Sequence, residues 1–299
     1  MIPVDMIVQL LVVSGGLLSL SLLTIVGRKR LGILRSRLRD RLLAVYPYVG
    51  MLGVVLVVNS IARDLGTDLS WLLNWNITGA IYAIEGEFVA TLQASGTPLL
   101  TTVLSYSYVY GYVFLLIFPL IAYLALDNLR PFRHLMLAYA LNYAIGVTCY
   151  ILFIAYGPRN LMPELVESLL YTNWPRSQLL TSQVNSEINV FPSLHTSLSV
   201  TVVALAYRTR RSYPAWLVLS IPIACAVIAS TMYLGIHWGV DVVAGVVLGI
   251  GSLLLAELLT DDQGEQRWLD RIARQFVTAV RQRVEQGRAW LGGGRSRES

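Results

Sequence analysis

Two of the three histidines in this 299-residue chain stand beside residues suited to phosphoryl chemistry. His195 lies in FPSLHTS, 191–197. His237 lies in STMYLGIHWGVDVVAG, 230–245, four residues before Asp241. If one helix carries both His237 and Asp241, they share a face. The carboxylate then accepts from one ring nitrogen and leaves the other free to attack. His195 is placed to give a proton to a leaving oxygen. Upstream, YGPRN, 156–160, supplies Arg159, whose planar fork matches phosphate oxygens. Pro192 suits a first helical position, which would aim the free N–H groups of Ser193, Leu194 and His195 outward at the positive end of a helix dipole. The Ser193 hydroxyl adds a further donor. The combination reads as phosphoryl transfer through a phosphohistidine, with Arg159 and the helix N-terminus holding the equatorial oxygens. Arginine and the dipole supply the positive charge, so neither a metal nor another cofactor is expected.

Each residue alone has a plainer reading. A histidine at a membrane edge is more often structural, Arg159 suits a snorkelling anchor, and His-x-x-x-Asp suits a stabilising helix pair. What favours chemistry is their placement on one side of a membrane, which follows from the elements that carry them. Residues are 55% hydrophobic and only 14% charged, against about 25% charged in soluble domains. Spanning helices need roughly 20 apolar residues, and about seven runs qualify, near 6–26, 43–61, 103–125, 135–156, 193–208, 214–234 and 238–258. The fifth is short. The first carries Asp5, no basic residue and no cleavage site, and so reads as a retained span rather than a signal peptide. The fold class is therefore an all-α integral membrane protein.

With seven spans, the connections at 28–41, 127–134 and 208–211 and the tail after 259 share one side. Together they hold 20 of the 23 Lys and Arg residues. The positive-inside rule makes that side cytoplasmic. The N-terminus and all three polar motifs then fall on the outer face, where Arg159, His195, His237 and Asp241 can converge. The net charge of +5 is a topology and anionic-lipid signal rather than a nucleic-acid one.

Other segments support this layout. RKRLGILRSRLRDR, 28–41, suits a helix on anionic headgroups or a plain retention signal. The mixed stretch 62–98, with Trp71, Trp75, Glu85 and Glu87, reads as an interfacial helix or re-entrant hairpin on the outer face, able to cap a site. Asn76-Ile77-Thr78 matches a glycosylation sequon, a tripeptide common by chance. Tyr106, Tyr108, Tyr110 and Tyr112 read first as interfacial anchors, with headgroup gripping as the second reading. Residues 266–291 carry Trp268, Ile272, Phe276, Val280 and Val284 on an amphipathic stripe. Cys149 and Cys225 are expected as buried core thiols, and His134, beside Arg130 and Arg133, as a surface residue.

These motifs resemble the type 2 phosphatidic acid phosphatase superfamily, which includes lipid phosphate phosphatases and vanadium haloperoxidases. Its pattern is Lys-x6-Arg-Pro, then Pro-Ser-Gly-His, then Ser-Arg-x5-His-x3-Asp. Here the second motif is Pro192-Ser193-Leu194-His195, and the third is Ser230-Thr231, five residues, His237, three residues, Asp241. Pro-Ser-Leu-His, with Gly157-Pro158-Arg159 near the end of the preceding helix, is similar to the inositol phosphorylceramide synthase branch. The resemblance covers roughly residues 100–258. It implies His237 as nucleophile, Asp241 as its orienter, His195 as acid and base, and Ser193 and Arg159 as phosphate ligands. Two departures stand out: Leu152 occupies the place of the first motif's lysine, and Thr231 that of the third motif's arginine. Arg176 in the outer loop is a candidate substitute. Arg130-Pro131 matches the letters of the first motif but lies on the inner face.

The expected organisation is 1–98, N-terminal spans and outer interfacial segment; 99–258, catalytic helical core; and 259–299, cytoplasmic amphipathic tail. The leading functional expectation is a phosphohydrolase acting at the outer face on a lipid phosphate or isoprenoid diphosphate. The first alternative is a lipid phosphoryl-headgroup transferase, since a site with fewer cations suits a phosphodiester. A non-catalytic anion-binding membrane protein or transporter is the alternative of another class. The partners implied are the bilayer and a lipid phosphate substrate, with no nucleic acid.

Overall fold

A computed structural model describes residues 4–175, 178 and 189–261, which are helical apart from loops and two isolated bridges. The chain divides into two compact units, Met1–Ala256 and Glu257–Ser299. The expected amphipathic tail helix and Arg176 lie outside the described residues.

Thirteen α-helices are described in chain order. They are α1 Val4–Ser21, α2 Arg28–Ser36, α3 Leu38–Leu73, α4 Thr78–Glu85, α5 Phe88–Ala94, α6 Pro98–Tyr106, α7 Tyr112–Leu124, α8 Arg130–Leu152, α9 Pro158–Leu161, α10 Leu169–Asn173, α11 Leu194–Arg208, α12 Pro214–Tyr233 and α13 Gly239–Asp261. One π-helical turn, Leu22–Val26, follows α1, and another, Ser107–Gly111, joins α6 to α7. Prolines open α6, α9 and α12, where the missing N–H has no partner to lose. Thr97 caps α6 by accepting the Leu100 N–H at 3.2 Å.

Six helices are long and apolar enough to cross a membrane: Val8–Val26, Leu38–Ala62, Pro98–Leu124, Arg130–Leu152, Pro214–Tyr233 and Gly239–Thr260. The fifth expected span is the 15-residue α11, below that length. It runs through the interior, with Thr196, Ser197, Leu198, Ser199, Thr201, Val202, Leu205 and Ala206 all buried. By contrast, α1 and α3 turn rows of bare aliphatic side chains outward, among them Leu11, Val12, Val54 and Val57. That is the surface hydrocarbon chains would cover. The polar segment after the second span continues α3 to Leu73 before the chain turns into α4 and α5.

Small residues let α11 and α13 meet at backbone distance. A Cβ on Gly245 would sit 2.6 Å from the Ser193 carbonyl, and one on Gly249 would run into the Ser197 carbonyl. Close approach of this kind replaces the hydrophobic drive that is missing between helices in lipid. Polar side chains reinforce it. Thr201 donates to the Gly249 carbonyl at 3.1 Å, and Asn142 on α8 donates to the Thr201 hydroxyl at 3.1 Å.

At the basic end, part of the 28–41 run is structural rather than surface. The Arg41 guanidinium is buried; it donates to the Leu124 and Leu126 carbonyls and pairs with Asp127 at 3.3 Å. Arg30 donates to the Ser212 carbonyl and stacks over Tyr213. His134 is also buried, because α8 turns that face toward the bundle and not toward water. Cys149 is half-buried and Cys225 exposed, so neither is the core thiol expected.

Gly249→Ala is expected to destabilise the detergent-solubilised protein by about 1–3 kcal/mol, the usual range for overpacking. Gly251→Ala, two residues on, where an added Cβ meets nothing within 4 Å, is expected to unfold at the wild-type temperature. Thermal denaturation of the two variants side by side measures the difference.

Candidate active site

The segment 74–98 forms a platform that ties down the loops bearing Arg159 and His237. Asn74 closes α3 in a left-handed conformation. The Trp75 carbonyl accepts the Ile154 N–H at 2.9 Å, and the Ile154 carbonyl accepts the Ile77 N–H at 3.0 Å. Asn76 turns the chain by accepting the Thr78 N–H, and the buried Thr78 hydroxyl accepts the Tyr156 N–H at 3.0 Å. The Asn-Ile-Thr tripeptide thus has a structural use. The Ala155 carbonyl accepts the Val190 N–H, and the Tyr156 carbonyl accepts the Trp238 indole N–H at 2.8 Å. Gln93 on α5 donates to the Glu167 and Tyr233 carbonyls and accepts the Glu167 N–H.

His237 lies just before α13, in a turn that follows α12. The Ile236 and His237 N–H groups both donate to the Thr231 carbonyl, at 3.1 and 3.0 Å. The turn needs Gly235, whose φ is 72° and whose added Cβ would press Val166 at 2.8 Å. The sequence expectation put His237 and Asp241 on one helical face. Instead α13 begins at Gly239, and Asp241, in its first turn, reaches back. Its Oδ2 accepts the Trp238 N–H at 2.9 Å and lies 3.4 Å from His237 Nδ1. In the tautomer that carries its proton on Nδ1, the ring would donate to this carboxylate and keep Nε2 free. Asp241 is fully buried, and its Oδ1 has no hydrogen-bond partner among the described residues.

His195 sits in the first turn of α11, with its ring centroid 6.4 Å from that of His237. Tyr108 stacks on it at 4.6 Å and Tyr112 lies against it at 4.3 Å. Residue 193, not 192, is the N-cap. The Ser193 hydroxyl oxygen accepts from the Thr196 N–H and hydroxyl, while the Ser193 N–H donates to the Asp241 carbonyl at 3.1 Å. Pro192 therefore precedes the helix, and the Ser193 N–H is occupied rather than pointing outward. Serine is the better cap because its side chain replaces a partner that an orphan N–H lacks. Leu194 opens the helix and is half-buried.

Arg159 is drawn in by its own backbone, whose N–H donates to the Gly235 carbonyl at 3.1 Å. Its guanidinium stacks over Tyr171 at 4.8 Å, and Nη2 reaches the Tyr171 hydroxyl at 3.4 Å. Nη1 is buried and has no hydrogen-bond partner among the described residues. Thr231 is buried, and its hydroxyl donates to the Ile228 carbonyl.

The structure thus brings together His195, His237, Asp241, Ser193 and the Arg159 backbone; Arg176 lies outside the described residues. Sequence reading had the four tyrosines as interfacial anchors or headgroup contacts and did not place Tyr108 and Tyr112 against His195. Tyr108 and Tyr112 are four apart and so share a face, whereas Tyr106 and Tyr110 pack with Trp174. It also missed Glu85, which accepts the Gly239 and Val240 N–H groups at 2.8 and 3.1 Å.

A membrane-type helical bundle enclosing two facing imidazoles and a buried carboxylate defines the class. The family model of the PAP2 superfamily matches residues 83–255, and the chain belongs to that superfamily. The match begins within α4, so it takes in part of the platform. No curated protein and no solved structure matches the chain. Membership supports a phosphatase-type enzyme activity at a membrane.

Thr78→Val removes the buried hydroxyl that accepts the part-buried Tyr156 N–H. It is expected to destabilise the protein by about 1–3 kcal/mol, whereas Thr78→Ser is expected to stay near wild type. Thermal unfolding of the solubilised variants measures both.

Proposed function

We propose that this protein is a membrane-embedded phosphohydrolase that acts on a lipid phosphate or isoprenoid diphosphate at the outer face through a phosphohistidine. The observation that carries the reading is the 6.4 Å approach of the His195 and His237 rings, with Asp241 on the Nδ1 side of His237. His237 Nε2 attacks phosphorus, and the bond from phosphorus to the lipid oxygen breaks. His195 gives that oxygen its proton. Water then attacks the phosphohistidine and His195 takes a proton from it. The phosphorus–nitrogen bond breaks, releasing phosphate and restoring both rings. Arg159 and Ser193 are assigned to the non-bridging oxygens, as is the Leu194 N–H at the start of α11.

A second reading is favoured by Thr231. A buried hydroxyl stands where the superfamily motif has an arginine, which lowers the fixed positive charge. A phosphodiester carries less charge than a monoester, so transfer of a phosphoryl headgroup to an alcohol fits this feature. Release of phosphate to water, or its appearance on an alcohol acceptor, separates the two.

His237→Ala is expected to abolish vanadate-sensitive turnover in a screen over phosphatidate, isoprenoid diphosphates and inositol-lipid pairs. Wild-type activity in that variant would overturn the mechanism. His195→Ala is expected to slow a phosphate ester by about 10²–10⁴-fold, the usual worth of a general acid, and an anhydride much less. Equal losses on both would remove the acid role. Arg159→Lys is expected to lose most activity despite keeping its charge, because the bidentate fork is lost.

The proposed orientation puts the motif loops and N-terminus outside and residues 259–299 in the cytoplasm. In intact cells, Glu164→Cys is expected to react with an impermeant maleimide and Ser36→Cys to be protected; the reverse pattern would invert the topology.

A further inference from the structure

We propose that Glu85 is a positioning residue that keeps Asp241 committed to His237, a role that rests on the reading of that pair as the reactive one. Three consecutive backbone N–H groups open the turn into α13. The Trp238 N–H is taken by Asp241 Oδ2 at 2.9 Å, the Gly239 N–H by Glu85 Oε1 at 2.8 Å and the Val240 N–H by Glu85 Oε2 at 3.1 Å. Two carboxylates therefore divide the start of one helix. One comes from the helix itself, and the other comes from the end of α4, more than 150 residues earlier in the chain.

The division matters because the first N–H groups of any helix lack intrahelical partners. A cavity of about 470 Å³ borders this spot, lined by Ile84, Glu85, Phe191, Val240, Val243 and Ala244 among others. Among the described residues that line it, Glu85 is the one with a polar side chain. Without Glu85, the Gly239 and Val240 N–H groups would compete with the Trp238 N–H for the Asp241 carboxylate, two residues or fewer along the same turn. Its Oδ1 is already buried without a partner among the described residues. Drawn toward those donors, the carboxylate leaves His237 Nδ1, and the ring loses the contact that fixes its tautomer. Residue 239 is suited to this arrangement. A Cβ there would lie 3.2–3.5 Å from the Glu85 carboxylate, so glycine lets both oxygens approach the backbone squarely.

The chain has three histidines, so ¹⁵N-histidine NMR of the full-length protein in detergent micelles reads the pair directly and without substrate. His237→Asn assigns the His237 signals. In the wild type, His237 is expected to show a single Nδ1–H tautomer. In Glu85→Ala it is expected to show the average of both tautomers while the His134 signals stay in place, with the unfolding temperature lowered by the two N–H groups left without their acceptor. An unchanged single tautomer in Glu85→Ala, or a wild-type His237 without the Nδ1–H pattern, overturns the proposal. If Glu85→Ala shifts His134 as well, Glu85→Gln decides, since it keeps the shape and one acceptor oxygen. Partial averaging at His237 then supports the role, and a wild-type spectrum removes it. Absence of phosphoryl turnover in the wild type would sink the functional reading while leaving the tautomer result standing.

Discussion

Asp241 joins the separated parts of the site. Its backbone carbonyl accepts the Ser193 N–H, and its carboxylate accepts the Trp238 N–H and faces His237 Nδ1. One residue therefore fixes the cap of the helix that carries His195, the start of α13 and the orientation of the second imidazole. A carboxylate with no exposed surface is costly in an apolar bundle, and here one oxygen meets the Trp238 N–H and the His237 ring while the other has no partner among the described residues. Its burial and its organising role have the same cause.

The 74–98 platform follows from the same constraint on a larger scale. Loops near the membrane surface carry backbone groups that lipid cannot satisfy, so the protein must satisfy them. The 74–98 segment does this with the Trp75 carbonyl, the Ile77 N–H, the Thr78 hydroxyl, the Gln93 amide and the Glu85 carboxylate. The loops that these bonds hold are those bearing Arg159 and His237, and the first of them in turn holds the 189–193 approach through the Ala155 carbonyl. A segment that looks like interfacial padding by composition is what holds the motif loops in register. The α11–α13 glycine contact completes the frame from below, bringing His195 and Asp241 onto helices that touch backbone to backbone.

Much of this was legible in the chain. Apolar runs longer than a membrane is thick gave the helical bundle, since length and hydropathy are local properties. Counting spans and arginines put FPSLHTS, YGPRN and the His-x-x-x-Asp stretch on one side as an expectation, because sidedness alternates along the chain. The local details were less legible. Pro192 suggested a helix start, but the Ser193 side chain and the Asp241 carbonyl move it on by two residues. His134 looked like a surface residue beside two arginines, yet α8 presents it inward. Cys225, on an apolar helix, was expected inside and is exposed, because apolar residues on a membrane helix can face either way.

The residue types at Arg159, Ser193, His195, His237 and Asp241, and the short separations within each motif, were set by the sequence alone, because each motif is a single local stretch. The tertiary structure decided which long-range partners complete them. Tyr108 and Tyr112 flank His195, Thr78 receives Tyr156, and Glu85 caps the helix of Asp241. No local pattern encodes those contacts. They exist because buried donors, acceptors and rings must find partners somewhere in the folded chain, and only packing determines where.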